Sequence, residues 1–372
     1  MEVEGRRVLV RADLNVPLAD GRVTDDFRIR SFLPTLERIL ERGGTAVVCS
    51  HLGRPKQPDP KFTLAPVAAV LSDALAGDIP LAIDYDKIPN ERVVLLENLR
   101  FNPGETKNDP AFAAKLSSLG DAYVNDAFGA CHRAHASIVG PPSRLPSAAG
   151  LLLSKEIETL SSLLGEPKRP FVVVLGGVKV SDKIGVVKNF LDRADEILIG
   201  GAMTFTFLKA RGARVGTSII DEDSFADVER IATDERIVLP DDIVAAPSFD
   251  ATGGDVVDAM SIPDGWMGLD IGPDSAERFA SSILGAGTVL WNGPMGVFEK
   301  DAFADGSRRV AEAIAKTDAY TVTGGGDTSA VLAKFGLERA VDFASTGGGA
   351  SLEFLEGKTL PGIAALQAQK ES

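Results

Sequence analysis

The sequence predicts an α/β fold in which parallel strands are covered on both faces by helices. Short β-branched runs alternate with helical patterns along the whole chain, as at Phe171–Leu175 and Glu196–Ile199. Many of these runs lead directly into glycines, and glycine makes up 38 of the 372 residues, about 10% against a usual 7% or so. A length of 372 residues also corresponds to about two domains at roughly 150 residues each.

Four strand-like runs are predicted in the first half of the chain. They are Arg7–Arg11, Thr45–Ser50, Arg92–Leu96 and Asp121–Asn125. Between the first two, apolar residues recur at helical spacing from Ile29 to Leu40, and Gly43-Gly44 end the pattern. Pro34 lies inside this segment, so we expect either a kinked helix or a second helix that begins at the proline.

An amphipathic helix is predicted in the middle of the chain, at Leu151–Leu164. Its apolar face consists of Leu153, Ile157, Leu160 and Leu164, and Gly165 ends it. We therefore expect a helical connector over residues 151–168. It would join an N-terminal domain, residues 1–150, to a C-terminal domain, residues 169–356, and a short tail follows at residues 357–372.

In the second half, five strand-like runs each lead into a glycine-rich turn. The runs are Phe171–Leu175, Glu196–Ile199, Thr288–Trp291, Ala319–Thr323 and Val341–Ser345. Parallel strands place their carboxyl ends at one edge of a sheet, so the glycines gather where such sheets bind ligands. Free backbone N–H groups at the helix N-termini make these turns suitable for phosphate.

Two nucleotide-binding fingerprints are absent from the sequence. No G-x-x-x-x-G-K-[ST] occurs, which excludes a P-loop enzyme, and no G-x-G-x-x-G follows a predicted strand. The second absence argues against a nicotinamide-dependent dehydrogenase, although that class shares the sheet pattern and stays the alternative. A two-lobed solute-binding protein would also share the architecture, but it requires an export signal, and we expect none in this charged N-terminus.

The charge distribution argues against nucleic acid as a partner. The net charge is −14, whereas binding to a phosphate backbone requires a basic surface. Residues 1–150 carry 18 Lys+Arg and 19 Asp+Glu, and residues 151–372 carry 21 and 34. No apolar run is long enough to cross a bilayer, and the two cysteines, Cys49 and Cys131, form no disulfide framework. We expect a cytoplasmic protein without a membrane partner.

Charged residues near the glycine turns of the second half are candidate phosphate and metal ligands. In a helix, Lys179 and Lys183 would share one face and reach adjacent phosphates; two solvated surface lysines are the alternative. Asp327, next to Thr328, is a candidate ligand for Mg²⁺ bound to nucleotide phosphates, with a helix N-cap as its alternative role. Glu299 is a candidate acceptor for ribose hydroxyls.

The first half combines arginines and histidines near predicted element ends. They are Arg28, Arg54, Arg100, Arg133, His51, His132 and His135. Arginine binds carboxylate or phosphate through two parallel hydrogen bonds, so this set predicts a small anionic substrate. Asp13 and Asn15 are candidates for binding a substrate hydroxyl. We assign no zinc, because the histidines lack ligand spacing, and no Cys131–His132 nucleophile pair, because adjacent residues rarely face each other.

Together, these motifs closely resemble those of the phosphoglycerate kinase family. They are Val8–Pro17, Ser50–Pro55, Leu95–Phe101, His132–His135, Leu175–Ile184, Trp291–Glu299, Gly324–Thr328 and Ser345–Leu352, and they cover essentially the whole chain in order. The resemblance implies two Rossmann-like, doubly wound lobes with parallel sheets, joined by the connector helix, with the tail returning to the first lobe. It also implies a reversible, Mg²⁺-dependent transfer of phosphate between 1,3-bisphosphoglycerate and ADP, giving 3-phosphoglycerate and ATP in glycolysis.

The resemblance implies site residues in both lobes. Positions that match phosphoglycerate-binding residues are Asp13, Asn15, Arg28, His51, Arg54, Arg100 and Arg133. Positions that match nucleotide-binding residues are Gly177, Lys179, Lys183, Gly201, Asn292, Pro294, Glu299, Gly325, Gly326, Asp327 and Thr328, with Asp327 at the Mg²⁺-nucleotide. Val178 stands where the family usually has Ala, and Ala202 where a third Gly is common; both are expected at the pocket wall.

The expected mechanism needs no catalytic base. A carboxylate acceptor is already ionised at pH 7, so catalysis reduces to alignment and charge neutralisation in a dry site. We expect Arg28 and Lys179 to act on the phosphoryl group when the lobes close on their small-molecule substrates. A monomer is expected.

Overall fold

The computed structural model describes residues 1–368 and divides the chain into two units. The first unit comprises Met1–Glu158 and the chain from Thr359 onward, and the second comprises Thr159–Lys358. The division falls inside the segment predicted as the connector. Residues 369–372 of the predicted tail lie outside the described residues.

The first unit contains one large sheet and a small hairpin. Its strands are β1 (Arg7–Ala12), β2 (Leu18–Ala19), β3 (Arg22–Val23), β4 (Thr45–Cys49), β5 (Leu81–Ala82), β6 (Val93–Leu96), β7 (Ala122–Asp126) and β8 (Ser147–Ala149). Its helices are α1 (Phe27–Glu41), α2 (Ala65–Ala74), α3 (Pro110–Ser117), α4 (Ala136–Val139) and the first part of α5 (Leu151–Leu164). The large sheet is parallel throughout, in the order β5-β6-β4-β1-β7-β8.

The second unit contains a larger number of elements. Its strands are β9 (Phe171–Leu175), β10 (Glu196–Ile199), β11 (Arg214–Val215), β12 (Ile237–Val238), β13 (Asp242–Ala246), β14 (Asp255–Asp258), β15 (Ser261–Ile262), β16 (Met267–Ile271), β17 (Thr288–Asn292), β18 (Tyr320–Gly324) and β19 (Phe343–Ser345). Its helices are α6 (Ile184–Phe190), α7 (Met203–Ala210), α8 (Phe225–Ile231), α9 (Pro273–Leu284), α10 (Asp305–Lys316), α11 (Gly326–Lys334) and α12 (Gly349–Leu355).

The main sheet of the second unit is also parallel. Its order is β12-β10-β9-β17-β18-β19, which is 3-2-1-4-5-6 when its own strands are counted along the chain. All five residues of β9 are buried, as expected for a central strand covered by helices on both faces. Strands β14, β13 and β16 form a separate antiparallel sheet, which the sequence pattern did not predict.

Each unit has its own apolar core. The first is built around β1, β4 and α1, whose buried face includes Ile29, Phe32 and Leu36. The second includes Trp291 of β17, Phe279 of α9 and Ile314 of α10. The two cores explain why each unit folds around its own sheet.

The last described helix, α13 (Pro361–Ala368), packs within the first unit. The backbone N–H of Gly362 donates to the carbonyl of Cys131 at 2.9 Å. A Cβ added at Gly362 would lie 2.8 Å from both Cys131 Sγ and Ile138 Cγ2, so only glycine permits this close approach to α4. Within residues 1–368, no helix combines the length and apolar character needed to span a bilayer.

The predicted strands are confirmed, with ends that differ by at most two residues. The predicted helix at Leu151–Leu164 is also confirmed, whereas residues 165–168 of the expected connector are not helical. Of the two alternatives predicted at Pro34, a kinked helix or a second helix that begins there, the second helix was wrong. Helix α1 continues through Pro34 as a single element, since a long apolar face holds both sides of it in the same core.

Candidate active site

The predicted site residues of both units lie near the carboxyl ends of their main-sheet strands. In the first sheet, the chain direction across the sheet reverses between β1 and β7; in the second it reverses between β9 and β17. Open α/β sheets bind ligands in the crevice beyond the strand ends at such a reversal. The topology therefore indicates one candidate binding edge in each unit.

A buried ionic network underlies the edge of the first unit. Arg11 is fully buried, and its Nε donates to Ser137 Oγ at 2.8 Å while one of its terminal nitrogens lies 3.2 Å from His51 Nδ1. Glu105 is also fully buried, 4.0 Å from Arg11, and accepts from Ser137 N–H at 3.0 Å and Ser137 Oγ at 2.7 Å. Sequence reasoning assigned no role to Arg11 or Glu105, because Arg11 lies within a strand and Glu105 within a loop.

Asp13 and Asn15 lie directly beyond β1. The Asp13 carboxylate accepts a hydrogen bond from Arg28 of α1 and lies 4.0 Å from His51. Asn15 Oδ1 accepts from the backbone N–H of Gly53 at 2.7 Å, which fixes the loop after β4 against the loop after β1. The structure thus brings together four of the predicted substrate-binding residues: Asp13, Asn15, Arg28 and His51.

Arg100 is the cation whose surroundings most clearly indicate an anion site. It is half-buried and donates to the Gly53 carbonyl, but its Nε is buried without a hydrogen-bond partner. Burial and the nearby charges of Arg11, Arg133 and Arg54 lower the pKa of Arg100 to about 10. A buried, unpaired guanidinium nitrogen among other cations is stabilised when an anion binds there.

Two histidines of this edge, His51 and His135, are held neutral by burial and by the same cations. Burial, followed by the charges of Arg11 and Arg100, lowers the pKa of His51 well below its usual value. Burial and the charges of Arg100, Arg11 and Arg133 lower the pKa of His135 to about 4. Arg133 is half-buried and its Nε lies 2.9 Å from His132 Nε2, whereas Arg54 is exposed. The cluster is therefore electropositive before any ligand binds.

In the second unit, glycines let three strand ends approach closely. A Cβ added at Gly201, which has φ +65°, would lie 2.4 Å from Gly177 N and 2.8 Å from Pro294 O. Gly177, with φ +105°, donates its N–H to Pro294 O at 2.9 Å. The predicted residues Gly177, Gly201 and Pro294 therefore meet at the ends of β9, β10 and β17.

The two predicted lysines have different environments. Residues 176–183 are not helical, and α6 begins only at Ile184, so the expectation that Lys179 and Lys183 share a helix face was wrong. Gly177 turns the chain with a positive φ that an α-helix does not permit. Lys179 is exposed, whereas Lys183 is buried and donates to the carbonyls of Gly176 and Asn292. Burial lowers the pKa of Lys183 to about 8, and Asp327 and Asp182 oppose this shift.

Asp327 and Thr328 lie in the first turn of α11. The N-cap of this helix is Gly325, so the alternative role of Asp327 as an N-cap is excluded. Asp327 is exposed, and Gly326 next to it is also exposed. Thr328 is buried; its hydroxyl donates to Gly324 O at 2.8 Å and accepts from Gly293 N–H at 2.7 Å. Thr328 thus joins the start of α11 to the turn after β17, beside Asn292, whose Nδ2 also donates to Gly324 O.

A cavity of about 410 Å³ opens at this edge of the second unit. Predicted residues that line it are Gly177, Gly201, Pro294, Glu299 and Asp327. Val178 and Ala202, which depart from the family pattern, line it as well, whereas Lys179, Gly325 and Gly326 do not. The apolar wall of the cavity is formed by Phe205, Ile219, Phe249, Met267, Leu269 and Phe298, and of these only Phe298 lies in a motif that the sequence analysis named. Three of them, Phe249, Met267 and Leu269, come from β16 or from the loop after β13 in the antiparallel sheet, for which the sequence showed no motif.

The described residues offer no self-contained metal centre. Nowhere in residues 1–368 do three or more His, Cys, Asp or Glu side chains gather in a way that could hold a metal ion. Asp327 supplies one exposed carboxylate at the cavity. One carboxylate fits a cation whose other ligands come from nucleotide phosphates and water.

Comparisons with known proteins agree on one family. The family model described as phosphoglycerate kinase matches residues 1–358. The chain is 52% identical over 384 residues to a phosphoglycerate kinase of Rubrobacter xylanophilus, covering 100% of this chain and 98% of that protein. It is 53% identical over 388 residues to that of Salinispora tropica, covering 99% and 97%. The solved phosphoglycerate kinase of Coxiella burnetii matches with a TM-score of 0.90 at 39% identity, covering 99% of this chain and 97% of that one.

Proposed function

The chain belongs to the phosphoglycerate kinase family, and from that membership we propose how its residues divide the reaction. The activity is that of a glycolytic phosphotransferase, which moves a phosphoryl group between 1,3-bisphosphoglycerate and ADP to give 3-phosphoglycerate and ATP. The alternative of a nicotinamide-dependent dehydrogenase receives no support from these relatives.

The first unit binds the phosphoglycerate, and its unpaired Arg100 nitrogen is the observation that carries this assignment. Arg54, Arg100 and Arg133 take the 3-phosphate, because their mutual repulsion is relieved by an anion. The Asp13 carboxylate accepts a hydrogen bond from the substrate hydroxyl, and the Asn15 amide donates one to it or accepts one from it. His51 lies beside these two residues. Arg28, held by Asp13, faces the carboxyl group that takes part in the transfer.

The second unit binds the nucleotide in the cavity of about 410 Å³. Its apolar wall, including Phe249 and Leu269, suits the flat face of a base, and Glu299 suits the ribose hydroxyls. The glycine turns at Gly177 and Gly325, with Lys179 and Lys183, form the end suited to phosphates. Val178 and Ala202 are larger than the Ala and Gly that the family usually has at these two positions, so they reduce the width of the cavity.

Asp327 is the carboxylate that would hold a Mg²⁺ ion bound to the nucleotide phosphates. The exposed position of Asp327 at the cavity supports this role. When bound, the cation neutralises charge on the phosphates. Burial lowers the pKa of Lys183 and the charge of Asp327 opposes this shift, so the two side chains lie near each other and belong to the same phosphate-binding end of the cavity.

The reaction requires no proton transfer. In the ATP-consuming direction, an oxygen of the 3-phosphoglycerate carboxylate forms a bond to the γ-phosphorus, and the bond from that phosphorus to the β,γ-bridging oxygen breaks, releasing ADP. The carboxylate is already ionised near pH 7. Arg28 and Lys179 contact the transferred phosphoryl group and offset the charge that spreads over its oxygens.

Closure of the two units is also proposed, because neither unit alone contains both sets of binding residues. Small-angle scattering should show a smaller radius of gyration with 3-phosphoglycerate and a non-hydrolysable Mg²⁺-nucleotide than with either alone. An unchanged radius with both ligands bound would reject closure. We further propose a monomer in the cytoplasm, where glycolytic substrates are found.

A coupled assay with 3-phosphoglycerate, ATP and Mg²⁺ tests the function directly. We expect ADP formation that depends on all three components, and ATP formation from 1,3-bisphosphoglycerate and ADP in reverse. Arg100→Met should raise the KM for 3-phosphoglycerate by about tenfold or more without weakening ADP binding. ADP formation that does not require 3-phosphoglycerate would overturn the assignment.

A further inference from the structure

We propose that Lys300 is a positioning residue that holds Phe249 at the nucleotide cavity and thereby sets the affinity for the nucleotide. The Lys300 ammonium lies 4.0 Å from the centre of the Phe249 ring and also donates a hydrogen bond to the Phe249 carbonyl. Both residues line the cavity. No motif in the sequence drew attention to either of them.

The contact joins two loops that are distant in the chain. Lys300 ends the segment that follows β17 and carries Pro294 and Glu299. Phe249 lies in the segment that follows β13 of the antiparallel sheet. Apart from Lys300, the loop after β17 is anchored to that sheet by Val297 N–H, which donates to Leu269 O at 2.8 Å. Lys300 therefore extends this attachment to the loop that contributes Phe249.

Phe249 needs such support because the protein itself covers only half of it. Its exposed fraction is 50%, which is high for a phenylalanine at a binding site. An unsupported ring samples several rotamers, and ordering it when a ligand binds costs conformational entropy. An ammonium against one face of the ring restricts it before the ligand arrives, which leaves the rest of the side chain for the cavity.

The ammonium acts on the ring rather than on a neighbouring carboxylate. Asp250 lies 3.6 Å from Lys300, but its side chain is 95% exposed, and such ion pairs contribute little in water. The side chain of Lys300 is 30% exposed, so its contact with Phe249 is the better shielded of the two. Removing the Asp250 charge should accordingly matter less than removing the Lys300 charge.

This inference rests on the proposed nucleotide cavity, and Lys300→Met tests it while keeping the length of the side chain. We expect the Kd for ADP and the KM for ATP to rise about two- to fivefold, the effect of losing a partly exposed cation–π contact. The KM for 3-phosphoglycerate should stay unchanged, since that substrate is assigned to the other unit. Lys300→Arg should restore the parent affinity, and Asp250→Asn should differ little from the parent.

A matched control exists in the same unit. Lys209 lies 5.3 Å from the centre of the Phe225 ring and 3.0 Å from Glu222, and neither Lys209 nor Phe225 lines the cavity. Lys209→Met should leave nucleotide affinity unchanged. In a double-mutant cycle, Lys300→Met should have a clearly smaller effect on ADP binding in a Phe249→Leu background than in the parent, because only the hydrogen bond to the backbone carbonyl remains there.

The outcomes separate this inference from the function on which it rests. If the parent protein fails to bind ADP in calorimetry, the proposed nucleotide cavity is wrong. If the parent binds ADP and Lys300→Met binds it equally well, the role of Lys300 is wrong. Equal losses in the Phe249→Leu and parent backgrounds would also overturn it, because Lys300 would then act independently of the ring.

Discussion

The carboxylate of Asp126, the last residue of β7, accepts the backbone N–H of Leu153 in the first turn of α5 at 2.9 Å. The chain reaches this position through Gly150, where an added Cβ would lie 2.1 Å from Asp126 Oδ1. Burial raises the pKa of Asp126 to about 6, although hydrogen bonds from Thr35 and Leu153 oppose the shift. The first turn of α5 is thus fixed to the sheet by a buried acid.

Asp126→Asn should change the pH dependence of stability. Between about pH 4 and pH 6 the folded protein keeps a proton on Asp126 that the unfolded chain has lost, so this group lowers stability as the pH rises through that window. Asparagine has no such proton. The free energy of unfolding of the variant relative to that of the parent should therefore increase between pH 4 and pH 6. The increase should reach on the order of 2–3 kcal/mol and stay constant above pH 7. Urea unfolding at several pH values measures the difference, and parallel curves would contradict the prediction.

Arg28→Ala should abolish most turnover while leaving nucleotide binding intact. Arg28 belongs to the first unit and is held by Asp13, and an arginine that offsets transition-state charge contributes on the order of 10³ in kcat. Arg30→Ala is the control on the same helix, since Arg30 is 66% exposed and pairs with Asp26. Steady-state kinetics and ADP calorimetry give the two readouts. Near-normal turnover in Arg28→Ala would remove the residue from the mechanism.

Anion binding to the first unit should take up protons at mildly acidic pH. The same cations that lower the pKa of His135 and His51 are neutralised by a bound dianion, so both pKa values should rise. Sulfate is a suitable probe because it does not titrate in this range. Calorimetry in two buffers of different ionisation enthalpy should show uptake near pH 5 and none near pH 8. Uptake of the same size at both values would mean that the histidines are not responsible.

Gly201→Ala should reduce both stability and nucleotide affinity. The new Cβ would overlap with Gly177 N and Pro294 O, in addition to the strain of a positive φ, for a loss of about 2 kcal/mol or more. Gly212 serves as a control for the backbone strain alone, because its φ is +88° but nothing lies within 4 Å of an added Cβ. Gly212→Ala should therefore lower the apparent unfolding midpoint less and leave ADP binding unchanged. Equal effects of the two substitutions would show that the close approach at Gly201 is unimportant.

Local patterns predicted much of the scaffold and little of the wall of the site. β-branched runs such as Phe171–Leu175 identify buried parallel strands because both faces are apolar, and the glycines after them mark the strand ends. The antiparallel strand Met267–Ile271 contains glycine and aspartate and has no such signature. Its position, and with it the apolar side of the cavity, depends on tertiary pairing.

The buried ionic network of the first unit could not be predicted from the sequence either. Arg11 and Glu105 are far apart in the chain, and each has the appearance of an ordinary surface charge until the fold buries both. For Lys179 and Lys183, in contrast, the sequence pattern predicted a shared helix face that the structure does not contain. Their spacing of four is typical of a helix face, but the glycine turn before them delays the helix until Ile184.

The position of α13 has a consequence for biosynthesis. The helix completes the first unit against Cys131 and Ile138, yet about 200 residues of the second unit are translated between α5 and α13. While the second unit is being translated, α13 does not yet exist, so the surface around Cys131 and Ile138 stays uncovered. The first unit can acquire its last helix only after the whole second unit has left the exit tunnel, so its maturation is a late event although its sheet is made first.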